Sequence, residues 1–303
     1  MMSVMPSREG DLRCLLAVRS DPPFDLAAVD PRATPGLPPD ARLAEDPKEW
    51  SRAAVAEIGR SLAQSQEKLY ASAKVADDPR RVLLVLQAMD CGGKDGTIRA
   101  VAGELNPQAL RVVAFGPPND VERRHHFLWR VARAVPPAGA IGVFNRSHYE
   151  DVLAVRVRGL VPEATWQRRY DEINEFEAGL ASGGVTLIKV MLHISPEEQR
   201  ERLLARLDDP TKRWKFDPSD VDERARWADY QAAYSDALAR CSTPAAPWYV
   251  VPADRKWYRN WAVATLAREA LDDLALAYPS VSFDVPEQRR RLLDAHETDI
   301  VAG

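Results

Sequence analysis

Residues 82–86, Val-Leu-Leu-Val-Leu, form an uninterrupted run of β-forming apolar residues, and the chain then reads Asp90-Cys91-Gly92-Gly93-Lys94-Asp95-Gly96-Thr97 before a helical pattern begins near Ile98. An apolar run without alternation predicts a strand buried on both faces of a parallel sheet. A glycine-rich strand-to-helix turn lets backbone N–H groups approach phosphate oxygens. The helix N-terminus adds partial positive charge, and a lysine reaches the transferring group. Together they predict a phosphate-binding loop in an α/β protein. The segment departs from G-x-x-x-x-G-K-[ST]: Ala88 stands at the first glycine, Asp95 follows the lysine, and Thr97 comes two places late. The competing reading is an ordinary glycine-rich turn with a solvated lysine.

Further apolar runs at 111–115, 141–144, 185–194 and 248–251 alternate with helical patterns such as 197–207 and 223–239. Such alternation implies right-handed βαβ units, so the fold class is α/β: a doubly wound parallel sheet of about five strands flanked by helices. With 303 residues, 46% of them hydrophobic, the chain can bury a sizeable core, and one domain with appendages is predicted. That domain is read as 50–278. It opens with an amphipathic helix from Trp50 that carries Val55, Ile58, Leu62 and Leu69 on one face and ends near Asp77-Asp78-Pro79. Residues 1–49, with Pro22, Pro23, Pro31, Pro35, Pro38, Pro39 and Pro47, read as an irregular Pro-rich arm. Residues 279–303, with basic Arg289 to Arg291, read as a peripheral tail.

Lys plus Arg number 41 against 45 Asp plus Glu, a balance that argues against a dedicated nucleic-acid binder, so no nucleic-acid partner is expected. Cys14, Cys91 and Cys241 are scattered and show neither a disulfide framework nor a zinc spacing. The first residues contain no apolar signal segment, and no stretch approaches 18 apolar residues. The expectation is a cytoplasmic protein without a membrane partner.

Three other clusters carry candidate chemistry. Asn145-Arg146-Ser147-His148-Tyr149-Glu150-Asp151 follows the 141–144 run, at the carboxyl end of a strand, where open parallel sheets place ligands. Two adjacent carboxylates beside an arginine suit magnesium and phosphate at one site; alternatively they complement a helix dipole. Between Arg123 and Arg158 lie seven arginines (123, 124, 130, 133, 146, 156, 158) against only Glu150 and Asp151, a local excess able to steer a polyanion. Finally, Thr211-Lys212-Arg213-Trp214-Lys215 follows a helix holding Arg202 and Arg206. It reads either as a mobile basic segment that closes over phosphates or as a solvated surface. The stripe Trp227, Tyr230 and Tyr234 reads as core packing.

These blocks, with the HFLWR stretch at 126–130, HISPEEQRERLLARL and the PWYVVPADRKWYRN block at 247–260, resemble the polyphosphate kinase 2 family, and within it the class III enzymes, from about Phe24 to Tyr278. The resemblance implies a P-loop kinase-like fold with a helical lid at about 208–226. It also implies phosphoryl transfer between inorganic polyphosphate and AMP or ADP with Mg2+, and a homo-oligomer; guanine nucleotides remain an open alternative to adenine. It assigns catalytic roles to Asp90, Lys94, Asn145, Arg146, Glu150, Asp151 and Arg202, with Asp90, Glu150 and Asp151 as magnesium ligands. Phosphate and nucleotide contacts are expected from Gly92, Gly93, Asp95, Gly96, Thr97 and Arg99, from Arg130 and Arg133, and from Arg206, Lys212, Arg213 and Lys215. The chain departs from the family pattern at His126, where an aspartate is usual, and at Ala132, where a histidine often stands. An ATP-dependent nucleotide or nucleoside kinase of the same fold, or a non-catalytic nucleotide or polyphosphate-binding regulator, are the rival readings.

Overall fold

The computed structural model describes residues 11–19 and 24–294. Five strands, β1 (Arg81–Ala88), β2 (Leu110–Ala114), β3 (Ile141–Asn145), β4 (Val185–His193) and β5 (Trp248–Pro252), pair in parallel in the order β2-β3-β1-β4-β5. Each apolar run in the sequence has become a strand. Central β1 is buried at every position after Arg81, and its Leu84 pairs in register with Val143 on one side and Ile188 on the other. The chain order reverses around β1, so the connections leaving β1 and β3 diverge and open a crevice at the carboxyl edge of the sheet.

In chain order the helices are α1 (Leu12–Leu16), α2 (Pro39–Leu43), α3 (Pro47–Ala76), α4 (Lys94–Ala102), α5 (Trp129–Ala134) and α6 (Ala154–Val157). They continue with α7 (Glu163–Ser182), α8 (Pro196–Asp208), α9 (Ser219–Ala225), α10 (Trp227–Cys241), α11 (Lys256–Asp272) and α12 (Val285–Asp294). The alternation of β1 divides the core. Leu83 and Val85 pack with Val131, Phe144 and Leu187, while Leu84 and Leu86 pack with Leu62 and Leu69 of α3 and Val263 and Leu266 of α11. Among the described residues no helix is long and apolar enough to cross a membrane.

Three boundaries differ from the sequence expectation. Helix α3 begins at Pro47 rather than Trp50, because Asp46 caps it by accepting from Lys48 N at 2.8 Å and proline is tolerated in a first turn. The helical run 223–239 is broken at Arg226 into α9 and α10. The Pro-rich segment is neither wholly irregular nor detached: it contains α2 and a 3₁₀ turn at Leu26–Ala28. Its Leu26, Leu37 and Ala41 are buried in the same core as the sheet. In the same arm, Val18 N donates to the Trp248 carbonyl at 2.8 Å. Enough apolar side chains lie between the prolines for burial to offset the lost backbone regularity. Pro22 and Pro23 lie outside the described residues. The tail forms α12, which leaves Leu292 and Leu293 exposed.

Candidate active site

The loop between β1 and α4 is shaped by three consecutive residues, Cys91, Gly92 and Gly93. Cys91 takes φ +62° and Gly93 φ +99°, and Gly92 N donates to the Met89 carbonyl at 3.0 Å to close the turn. A Cβ on Gly92 would approach the Ala88 Cβ to 2.3 Å, so only glycine permits the turn. Helix α4 starts at Lys94, which places the free N–H groups of its first turn at the mouth of the loop. The Lys94 side chain is buried and its Nζ donates to the Ala88 carbonyl at 3.1 Å. Burial, with the charge of Arg146, holds its ammonium below the usual lysine range. Thr97 is fully buried, its Oγ1 donating to the Gly93 carbonyl at 3.2 Å.

The end of β3 delivers the second cluster. Asn145 Nδ2 donates to Asp95 Oδ1 at 2.8 Å, linking the strand to the loop. Arg146, at φ +62°, has its backbone N–H on the Leu86 carbonyl at 3.0 Å. Its guanidinium donates to Asp90 Oδ1 at 2.8 Å and lies 3.7 Å from Glu150 Oε2. Arg146 thus joins a loop carboxylate to a second-cluster carboxylate. Burial raises the Glu150 carboxyl above its ordinary value, more than Arg146 and Lys94 lower it. Asp90, Arg146 and Glu150 line a small cavity of about 30 Å³ with Arg158, Tyr230 and Tyr234. Two residues of the aromatic stripe therefore wall the site as well as packing the core.

Asp151 faces other partners. Its Oδ1 accepts from Arg169 at 3.3 Å and its Oδ2 lies 4.0 Å from Arg130. Burial still raises its carboxyl, with Arg169 and Arg130 opposing. Among the described residues no group of three or more His, Cys, Asp or Glu side chains is placed to hold a metal ion. A site of two carboxylates remains, Asp90 and Glu150. That fits magnesium, which commonly takes one or two protein carboxylates and completes its shell with phosphate oxygens and water. Asp151 does not join that pair.

The remaining predicted residues separate into three sets. Arg202 binds protein rather than an open cavity: Nε donates to Glu198 at 2.7 Å, Nη1 to the Cys91 carbonyl at 2.9 Å, and Nη2 to the Ala253 carbonyl at 2.6 Å. It clamps the β1–α4 loop to the end of β5. In the basic segment, Arg206 donates to the Lys215 carbonyl at 3.1 Å, Arg213 to the Leu207 carbonyl at 2.8 Å, and Lys212 pairs with Asp209. Only Lys215 reaches the loop, 3.5 Å from Asp95. Arg99 and Arg133 point elsewhere: Arg99 lines a separate groove of about 720 Å³ with Lys48, Arg52 and Lys256, and Arg133 lies over Trp129. Gly96, in the first turn of α4, lies beside Arg259.

Four arginines of the arginine-rich window are paired with carboxylates outside it, two just before it in the chain and two from α9 and α10. Arg123 pairs with Asp120, Arg130 with Glu122, Arg156 with Asp236 and Arg158 with Glu223. Two contributors escaped the sequence reading. Gln199 Nε2 donates to the Asp90 carbonyl at 2.9 Å, and Arg259 of α11 lies buried against Gly93 and Gly96. Burial and neighbouring Arg202 pull the Arg259 pKa down to about 9. The only available signal for either was its place in a block matching the family, since neither belongs to a recognisable spacing.

The family model for polyphosphate kinase 2 matches residues 51–277. The chain is 48% identical to an AMP/ADP-polyphosphate phosphotransferase of Meiothermus ruber over 262 residues, 86% of this chain and 94% of the relative. It is 42% identical to an ADP-polyphosphate phosphotransferase of Rhodopseudomonas palustris over 78% of this chain and 83% of the relative. The crystal structure of a polyphosphate kinase 2 from Arthrobacter aurescens superposes with a TM-score of 0.89 at 44% identity, covering 97% of this chain and all of that one. A glycine-rich turn with a buried lysine, an arginine bridging two carboxylates at the carboxyl edge of a 2-3-1-4-5 sheet, and above all this continuous similarity place the chain in the polyphosphate kinase 2 family.

Proposed function

We propose that the protein transfers a phosphoryl group from inorganic polyphosphate to AMP and ADP, with Mg2+ bound by Asp90, Glu150 and substrate phosphates. The observation that carries the reading is the bridge from Asp90 through Arg146 to Glu150 beside the buried Lys94. The terminal phosphate of either acceptor is already largely ionised near neutral pH, so no strong general base is required. Catalysis reduces to holding donor and acceptor in line and stabilising charge on the equatorial oxygens. Lys94 and the N–H groups opening α4 receive the transferring phosphate. Arg146 stabilises the developing charge from the wall of the cavity it lines with Asp90 and Glu150. When bound, magnesium neutralises phosphate charge and orients the oxygens around it.

Glu150 also bears on the acceptor. Its carboxylate leaves the acceptor side free of an added fixed cation, so one site seats either a mono- or a diphosphate. The test is to incubate purified protein with Mg2+, long-chain polyphosphate and ADP and measure ATP. A parallel incubation starts from AMP with an adenylate kinase inhibitor. ATP in the first defeats the regulator reading; failure with polyphosphate but success with ATP as donor would favour the ordinary kinase. ADP that accumulates from AMP without becoming ATP would refute the dual acceptor.

A further inference from the structure

Strand β4 carries a lysine in an otherwise apolar interior. Lys189 is fully buried midway along the strand, facing the fully buried Glu177 of α7. Lys189 Nζ donates three times: to Glu177 Oε2 at 2.5 Å, to the Tyr149 hydroxyl at 2.8 Å and to the Cys241 carbonyl at 2.7 Å. Glu177 Oε1 accepts from the Tyr149 hydroxyl at 2.9 Å and lies 3.1 Å from His148 Nε2. The phenol both accepts and donates, and the ammonium lies 5.2 Å and 5.1 Å from the ring centroids of Tyr149 and Trp248. Burial alone would raise the Glu177 carboxyl, but Lys189 and His148 bring it below its ordinary value.

The two residues held here, His148 and Tyr149, immediately precede Glu150 in one 3₁₀ turn, His148–Asp151. Just upstream, Arg146 is fixed by its bond to the Leu86 carbonyl and by its left-handed backbone. The site segment is therefore pinned to β1 at one end and to the buried ion pair at the other. Well-packed apolar residues often replace a buried ion pair without loss of stability, so stability alone gives no account of a charged cluster at this place. We propose that Lys189, Glu177 and Tyr149 are positioning residues for phosphoryl transfer: their network anchors the 148–151 turn and so aims Glu150 and Arg146 at the transferring group. The proposal rests on the roles given above to those two residues.

Two double variants without a buried unpaired charge separate positioning from packing. Lys189→Met/Glu177→Gln retains an amide oxygen that can accept from His148 and Tyr149, whereas Lys189→Met/Glu177→Leu retains none. The Leu variant is expected to keep KM for ADP and polyphosphate within about two-fold and to lose at least about ten-fold in kcat, the scale of effect expected from small misplacements. The Gln variant should recover most of that loss at a similar Tm. Tyr149→Phe leaves the ion pair and removes only the shared hydroxyl; its kcat should fall between them. Wild-type kcat in the folded Leu variant, equal losses in both double variants, or a change confined to KM would overturn the proposal. Should the Leu variant not fold, wild-type kcat in Tyr149→Phe overturns it alone. A wild-type protein inactive with polyphosphate would instead defeat the donor assignment, and the same variants would then be compared with ATP as donor.

Discussion

The guanidinium of Arg259 lies so close under Gly93 that a Cβ on the glycine would fall 1.8 Å from Arg259 Nη1. Gly93 is the residue just before α4, at φ +99°, and Arg259 is 97% buried with Nε and Nη2 both donating to Asn260 Oδ1. A helix from the far end of the chain thus supports the β1–α4 loop from behind.

Gly93→Ala therefore meets two obstacles, the backbone angle and the guanidinium. The variant should lose about 1 to 3 kcal/mol of stability from backbone strain and at least about ten-fold in kcat from the displaced loop. Gly93→Ala combined with Arg259→Ala removes the collision but keeps the strained angle. Thermal unfolding and steady-state rates of both should show partial recovery in the double variant; full activity in Gly93→Ala alone would refute the tight seating.

Lys94→Ala should leave the fold intact and lower kcat by at least about two orders of magnitude, since a preorganised charge at the transition state is worth roughly 3 to 4 kcal/mol. Cys91→Ala should be nearly silent. The thiol is buried and burial pushes it up, so it is neutral, and what Arg202 uses is the Cys91 carbonyl. Rates per folded enzyme, with unfolding curves as control, distinguish the two.

Arg202→Lys should damage stability and rate together. Lysine cannot span Glu198 and the carbonyls of Cys91 and Ala253 at once, and each buried acceptor left without a donor costs about 1 to 3 kcal/mol. A drop in Tm with a parallel fall in kcat is expected. Loss of kcat at unchanged Tm would restore Arg202 to direct phosphate contact.

The pH profile should carry a limb from Glu150. Its carboxyl is raised above 4.5 by burial, so between 4.5 and its folded value the native state binds a proton that the unfolded chain releases. The stability contributed by the neutral form is present below 4.5 and is lost as pH rises through the raised value. Activity moves oppositely, rising as the carboxylate forms. In Glu150→Gln the residual rate should lose that limb, as a log kcat against pH plot shows; an unchanged limb would assign it to the substrate phosphate.

Four of the strands, β1, β3, β4 and β5, were legible because burial on both faces demands continuous apolar runs; edge strand β2 kept its β-forming residues although it has no fully buried position. The tight turn from β1 into α4 was legible for a related reason: Gly92 and Gly93 answer local backbone requirements, a close approach to Ala88 and a positive φ. Nucleotide transfer with polyphosphate followed from several blocks in one order. Partner choice was not legible. Glu150 and Asp151 are adjacent acids in the sequence, yet one meets Arg146 and the other Arg130 and Arg169. In the arginine-rich window Arg156 and Arg158 are met by Asp236 and Glu223, which only the fold brings there, while Arg123 and Arg130 pair with the neighbouring Asp120 and Glu122. Arg202 became a loop clamp, and Lys189, hidden in an apolar strand, found Glu177 on another element. Local sequence determines what one backbone segment can adopt and which face it buries. Which charge meets which is decided by long-range packing, because an ion pair forms between elements that only the folded sheet and its helices bring together.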